Sequence, residues 1–101
     1  MLFDQARSEL ELIDRHILVL RIVIEQGPIG ILKLSEMTQM QAHKVRYSLR
    51  VLEQNRLIKA SPQGAVAGEA VGEFLETADA RFLELKTLLD LIEKHGSEIT
   101  Q

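Results

Sequence analysis

Five side chains between positions 43 and 50 have the chemistry to meet a polyanion: His43, Lys44, Arg46, Tyr47 and Arg50. Read as a helix, this stretch turns them away from Val45, Leu49 and Leu52, which recur at four and three residues and so share one stripe. The stripe would hold the helix on its own domain. The remaining faces then offer donors to base edges and positive charge to phosphates. Arg46 and Arg50 lie four apart and suit a phosphate or a guanine edge; the competing partner for either is Glu53. Lys44 suits a phosphate near the helix start. Tyr47 can donate to a phosphate or pack beneath the hairpin expected after this helix, and His43 can read a base edge or stand in solvent. A plain solvated cationic face is the alternative for the whole stretch, since such faces are common.

Other chemistries find little support. The chain has no Cys, which excludes disulfides, thiol catalysis and cysteine zinc sites. His16, His43 and His95 show no ligand spacing, so no metal is expected. There is no Gly-rich phosphate loop and no nucleophile motif, so neither an enzyme nor a cofactor is expected. Nothing marks a small-molecule effector site. The net charge is −3, which by itself argues against nucleic acid, but it is unevenly distributed. Residues 1–42 carry −2, residues 43–60 carry +4 from five Lys/Arg and one Glu, and residues 61–101 carry −5. A cationic segment between acidic ones describes a local electrostatic footprint.

The elements that must position this segment follow from length and periodicity. A chain of 101 residues, 46% apolar, fits one domain with one core. With 4% aromatics and no Trp, that core is aliphatic, as in a helical protein. Residues 3–26 predict a long helix, because Phe3, Ala6, Leu10, Ile13, Ile17, Leu20 and Ile24 alternate spacings of three and four. Asp4, or Ser8 with Glu11, would start it; Gly27, as a left-handed cap, and Pro28 would end it. Residues 30–38 form a short helix with Ile31, Leu34 and Met37 or Thr38 inward. Residues 39–41 turn, and the cationic helix covers 41–55. A hairpin follows, with strands at 57–60 and 65–67. Pro62 and Gly64 suit the second and fourth places of its turn. Residues 69–95 predict a last long helix on Val71, Leu75, Ala78, Phe82, Leu85, Leu89 and Ile92, capped near Gly68 and stopped by Gly96, with 97–101 frayed. The N-terminus alternates charged and apolar residues, unlike a signal peptide. The longest apolar run, 17–24, is broken by Arg21 and too short for a bilayer, so no membrane partner and a cytoplasmic location are expected.

Residues 34–40 (Leu-Ser-Glu-Met-Thr-Gln-Met), Val45, Leu49, and 52–58 (Leu-Glu-Gln-Asn-Arg-Leu-Ile) resemble the winged helix-turn-helix core of prokaryotic transcription regulators. The likeness is to small archaeal predicted regulators and the MarR-like group, and it covers roughly residues 28–67. It implies a mainly α fold with a small β-hairpin, the wing, flanked by long N- and C-terminal helices. It also implies a single domain (1–26 and 69–95 for dimerisation, 28–67 for the reading core) binding double-stranded DNA with residues 41–55 in the major groove. Carried over, it puts Ala42, His43, Lys44, Arg46, Tyr47 and Arg50 at or near DNA. Gln41 opens that helix, Lys59 stands at the wing base and Gln63 at its tip. Three departures stand out. Gln39 replaces the usual turn Gly, Gln41 replaces a Ser or Thr cap, and the wing tip has no Lys or Arg.

The two heptad series exceed what a three-helix core and hairpin can cover. Phe3, Leu10, Ile13 and Ile17 on the first helix and Leu75, Phe82, Leu85, Leu89 and Ile92 on the last are therefore expected at a homodimer interface. Packing within one chain is the alternative. A two-fold dimer would present its reading helices to successive major grooves about 34 Å apart and favour a palindromic site. A winged-helix module that binds proteins within a larger complex is the rival function.

Overall fold

Periodicity becomes helix over most of the chain. In the computed structural model, which describes residues 1–99, the order is α1 (Asp4–Gln26), α2 (Ile31–Thr38), α3 (Ala42–Gln54), β1 (Ile58–Ser61), β2 (Gly64–Ala67) and α4 (Val71–Ile99). The fold is mainly α with one small antiparallel hairpin. None of its described helices is long and apolar enough to cross a membrane. Residues 1–71 form one compact unit, and the chain from Gly72 onward forms a second.

The core of the first unit is aliphatic: Val19, Leu20, Ile22, Val23, Ile29, Leu34, Val45, Leu52 and Ile58 are buried. α1 packs on α2, α3 and β2 through the end that carries Val19, Leu20, Ile22 and Val23. That arc shares only Leu20 with the heptad stripe. Leu10 and Ile13 are each 40% exposed and Phe3 is 70% exposed. At about 100° per residue, Leu10 lies half a turn around the helix from Val19. α1 therefore has two apolar faces, one in the core and one uncovered. Its start is also plain: Asp4 is the first helical residue and no side chain caps it, so neither cap predicted for α1 forms.

Gly27 corrects the expected left-handed cap. It is extended, at φ −66° and ψ 153°, and its N–H donates to the Val23 carbonyl at 2.8 Å. A Cβ there would stand 2.6 Å from the Val23 oxygen and 2.8 Å from the Ala65 oxygen, so close packing rather than positive φ selects glycine. Just beyond, Ile29 exchanges two backbone hydrogen bonds with Ala65, at 3.1 and 2.8 Å, and ties the start of α2 to the hairpin. Gly64 makes that approach possible. Its φ is +130°, and a Cβ would fall 2.6 Å from Ile29 backbone atoms.

The hairpin pairs Ile58 with Ala67 through Ser61 with Gly64, so only Pro62 and Gln63 form the loop. The Ser61 hydroxyl closes it by donating to the Gly64 carbonyl at 2.6 Å. α4 starts at Val71 rather than 69. The Gly68 and Ala70 N–H groups instead donate to the carbonyls of Leu57 and Arg56, at 2.9 Å each, which holds the segment on the strand entry. α4 also continues through Gly96 to Ile99, so residues 97–99 are helical and not frayed. A helical Gly costs about 1 kcal/mol against Ala, a weakness but not a stop. The last two positions of the predicted tail, 100 and 101, lie outside the described residues. No residue of α4 is buried.

Candidate nucleic-acid interface

The approach to α3 is a tight turn held by polar side chains. α2 buries Leu34 fully and turns Thr38, rather than Met37, partly inward. Gln39 then takes the left-handed conformation (φ 59°, ψ 25°) that a glycine would adopt freely. Its neighbours secure the turn. The Thr38 hydroxyl donates to the Leu34 carbonyl at 2.7 Å and accepts from the Met40 N–H at 3.3 Å. The Ser35 hydroxyl donates to the Met40 carbonyl, and the Gln39 side-chain amide to the Glu36 carbonyl at 2.9 Å. Local hydrogen bonding of this kind is how short polar side chains stabilise turns. Gln41 stands at the helix start with extended backbone and no side-chain cap bond, as its residue type predicts.

α3 has 13 residues and is about 20 Å long. Its buried side is Val45, Ser48 and Leu52. Leu49, expected in that stripe, is half-buried at its flank and lines a groove toward the hairpin. The opposite side exposes His43, Arg46, Tyr47, Arg50 and Gln54, with Lys44 exposed at one edge and Ala42 half-buried. The end is a Schellman arrangement. Arg56 is left-handed at φ 59°, its N–H donates to the Glu53 carbonyl, and the Leu57 N–H reaches back to the Leu52 carbonyl. This turns the chain directly into β1, so the hairpin stands beside α3.

The charges sort themselves. Arg56 pairs with Glu69 at 3.3 Å. Lys44, Arg46, Arg50 and Lys59 take no ion pair among the described residues, so neither arginine is neutralised by Glu53. Four free cations per chain remain on α3 and β1. Arg46 and Arg50 lie with Leu49, Glu53, Ile31, Ile58 and Ala60 along an open groove of about 450 Å³ between α3, the start of α2 and the hairpin. Its floor is apolar and its rim cationic apart from Glu53. Lys59 is exposed on β1 and Gln63 at the hairpin tip, where no cation stands.

Two residues escaped the sequence reading. Ser48 is fully buried, and its hydroxyl lies 2.8 Å from Nδ1 of His16 on α1. The His16 ring also stands 5.9 Å from the Tyr47 ring at 43°, so Tyr47 packs toward α1 and not beneath the hairpin. Burial, and then the charge of Arg15, pull the His16 pKa below its ordinary value of 6.5. The signal for Ser48 was present: it falls between Val45 and Leu52 at spacings of three and four. A hydroxyl on an apolar stripe needs a partner when buried, and His16 supplies it. The pair adds a directional polar contact between α1 and α3 to the apolar packing of Val45 and Leu52.

Among the described residues no His, Asp and Glu cluster is arranged to hold a metal ion. No protein-family model matches this chain, and no curated protein matches it.

Proposed function

We propose that this chain is a homodimeric transcription regulator that binds double-stranded DNA sequence-specifically, with α3 in the major groove. One observation carries the reading: a helix fully buried on one side presents free arginines on the other, after a three-residue turn and beside a hairpin. That arrangement is what a helix needs to be held in a groove about 12 Å wide while its side chains reach base edges. Arg46 and Arg50 suit bidentate contact with guanine, worth about 1–3 kcal/mol of discrimination each. Lys44 and Lys59 suit phosphates, which set register without reading sequence. The uncharged hairpin tip leaves specificity to α3. The uncovered apolar side chains of α1 and α4, among them Phe3, Leu10, Ile13, Leu75, Phe82, Leu85, Leu89 and Ile92, support pairing of two copies.

Selection of duplexes from a random pool at low salt tests this. A retained palindrome with two half-sites one helical turn apart is expected; a pool that passes unretained overturns it. The rival is a protein-interaction module on the same scaffold, favoured by the cation-free hairpin tip and the acidic segments either side of residues 43–60. Arg46→Glu with Arg50→Glu separates the two. Loss of duplex binding with an intact dimer supports regulation. Loss of a protein partner, with no duplex binding in the parent, supports the module.

A further inference from the structure

The heptad on α4 leaves two ways for a second copy to dock, parallel or antiparallel, and its flanking charges distinguish them. Leu75, Phe82 and Leu89 occupy one core position of the heptad, and Ala78, Leu85 and Ile92 the other. The helix buries none of them: Leu75 is 60% exposed, Leu85 40% and Leu89 50%. Beside the seam stand Asp79, Lys86 and Glu93 on one side and Phe74, Arg81, Leu88 and His95 on the other. Asp79, Arg81 and Lys86 have no ion pair among the described residues.

In a parallel pair, Arg81 and Leu88 each meet the residue five positions further along the partner, on the opposite flank. Arg81 would then face the partner's Lys86, twice by symmetry, with no attractive pair to offset it. An antiparallel pair instead brings like flanks together. The register that sets Phe82 against the partner's Leu85, Ala78 against the partner's Leu89 and Leu75 against the partner's Ile92 also sets Asp79 beside the partner's Lys86, again twice. It lays the Arg81 stem along the partner's Leu88, which keeps the guanidinium in water. We propose that two copies of this chain join through α4 helices running antiparallel, centred between Leu83 and Glu84, with reciprocal Asp79–Lys86 pairs. This rests on the dimer reading above and adds its orientation and register.

The absence of Cys makes the test direct. Ala78→Cys and Leu89→Cys variants of the full chain are oxidised separately and after refolding together. The antiparallel pair gives a cross-linked dimer from the mixture and little from either alone, because only positions 78 and 89 come within disulfide reach. Self-cross-linking by each variant alone overturns the orientation while leaving the dimer standing. Sedimentation of Lys86→Glu supplies a second sign. The antiparallel pair is expected to weaken by roughly tenfold in Kd, with the double swap Asp79→Lys and Lys86→Asp restoring it. Tighter association of Lys86→Glu, which a parallel pair would show, overturns the proposal. A parent chain that stays monomeric at all concentrations overturns the dimer reading as well.

Discussion

Removing the hydroxyl of Ser48 tests whether α1 and α3 are coupled through this buried pair. Ser48 is fully buried and bonded to His16 Nδ1 at 2.8 Å, while His16 itself is only partly buried. A net intramolecular hydrogen bond contributes about 0.5–1.5 kcal/mol, and an orphaned buried polar group costs about 1–3 kcal/mol. Because water can reach the His16 ring, Ser48→Ala is expected near the lower figures, at about 1 kcal/mol. His16→Leu orphans the fully enclosed hydroxyl and is expected to cost more, about 2 kcal/mol. The double variant removes both partners, so its loss should fall short of the sum by about 1 kcal/mol. Urea unfolding of all four proteins at one fixed protein concentration, necessary for an oligomer, reads the cycle. Additivity within about 0.5 kcal/mol would refute the claim that the pair is coupled.

The same histidine predicts a pH dependence. Its folded-state pKa is lowered, so folding favours the neutral ring. That contribution is complete above the ordinary value of 6.5 and is lost as pH falls through the lowered folded value. Urea titrations of parent and His16→Asn should therefore diverge at neutral pH and converge in acid; parallel curves would count against it. Gly64→Ala should destabilise by about 2 kcal/mol or more, since it adds a Cβ against the Ile29 backbone at a φ of +130°, and an unchanged thermal midpoint would contradict this. Glu53→Gln removes the one carboxylate on the groove beside Arg46 and Arg50, so duplex affinity should rise a few-fold in fluorescence anisotropy. A fall in affinity would mean that Glu53 organises the arginines.

What could be read from the sequence was periodicity and punctuation. The spacing of α3 and the turn residues of the hairpin located both elements to within a residue or two. The resemblance put a glycine at position 39, and the expectation of backbone strain or a different turn there meets a Gln39 with positive φ. What could not be read was which of two apolar arcs on α1 meets the core. Periodicity groups residues that share a face, but it does not name the surface that face will meet. The run 17–24 is apolar nearly all round, which pointed to burial on more than one side, and Val19 and Val23 are indeed buried; the Phe3 to Ile24 spacing did not say which side meets the core. Gly27 ends α1 as expected, but with extended backbone pressed against the Val23 and Ala65 carbonyls, whereas Gly96 does not stop α4 and is tolerated within it. Ser48 was hidden by its residue type, since its partner lies 32 positions away on another helix.

Salt dependence of duplex binding reaches the central claim most directly. Lys44 and Lys59, the phosphate partners, give about four contacts per dimer, so log affinity should fall against log salt with a slope near −4. Lys44→Ala removes two of those contacts from a dimer and should bring the slope to about −2 without dissociating it. Double-stranded DNA that fails to bind even at low salt, or a slope indifferent to Lys44, would contradict the assignment of α3 as a DNA-reading helix.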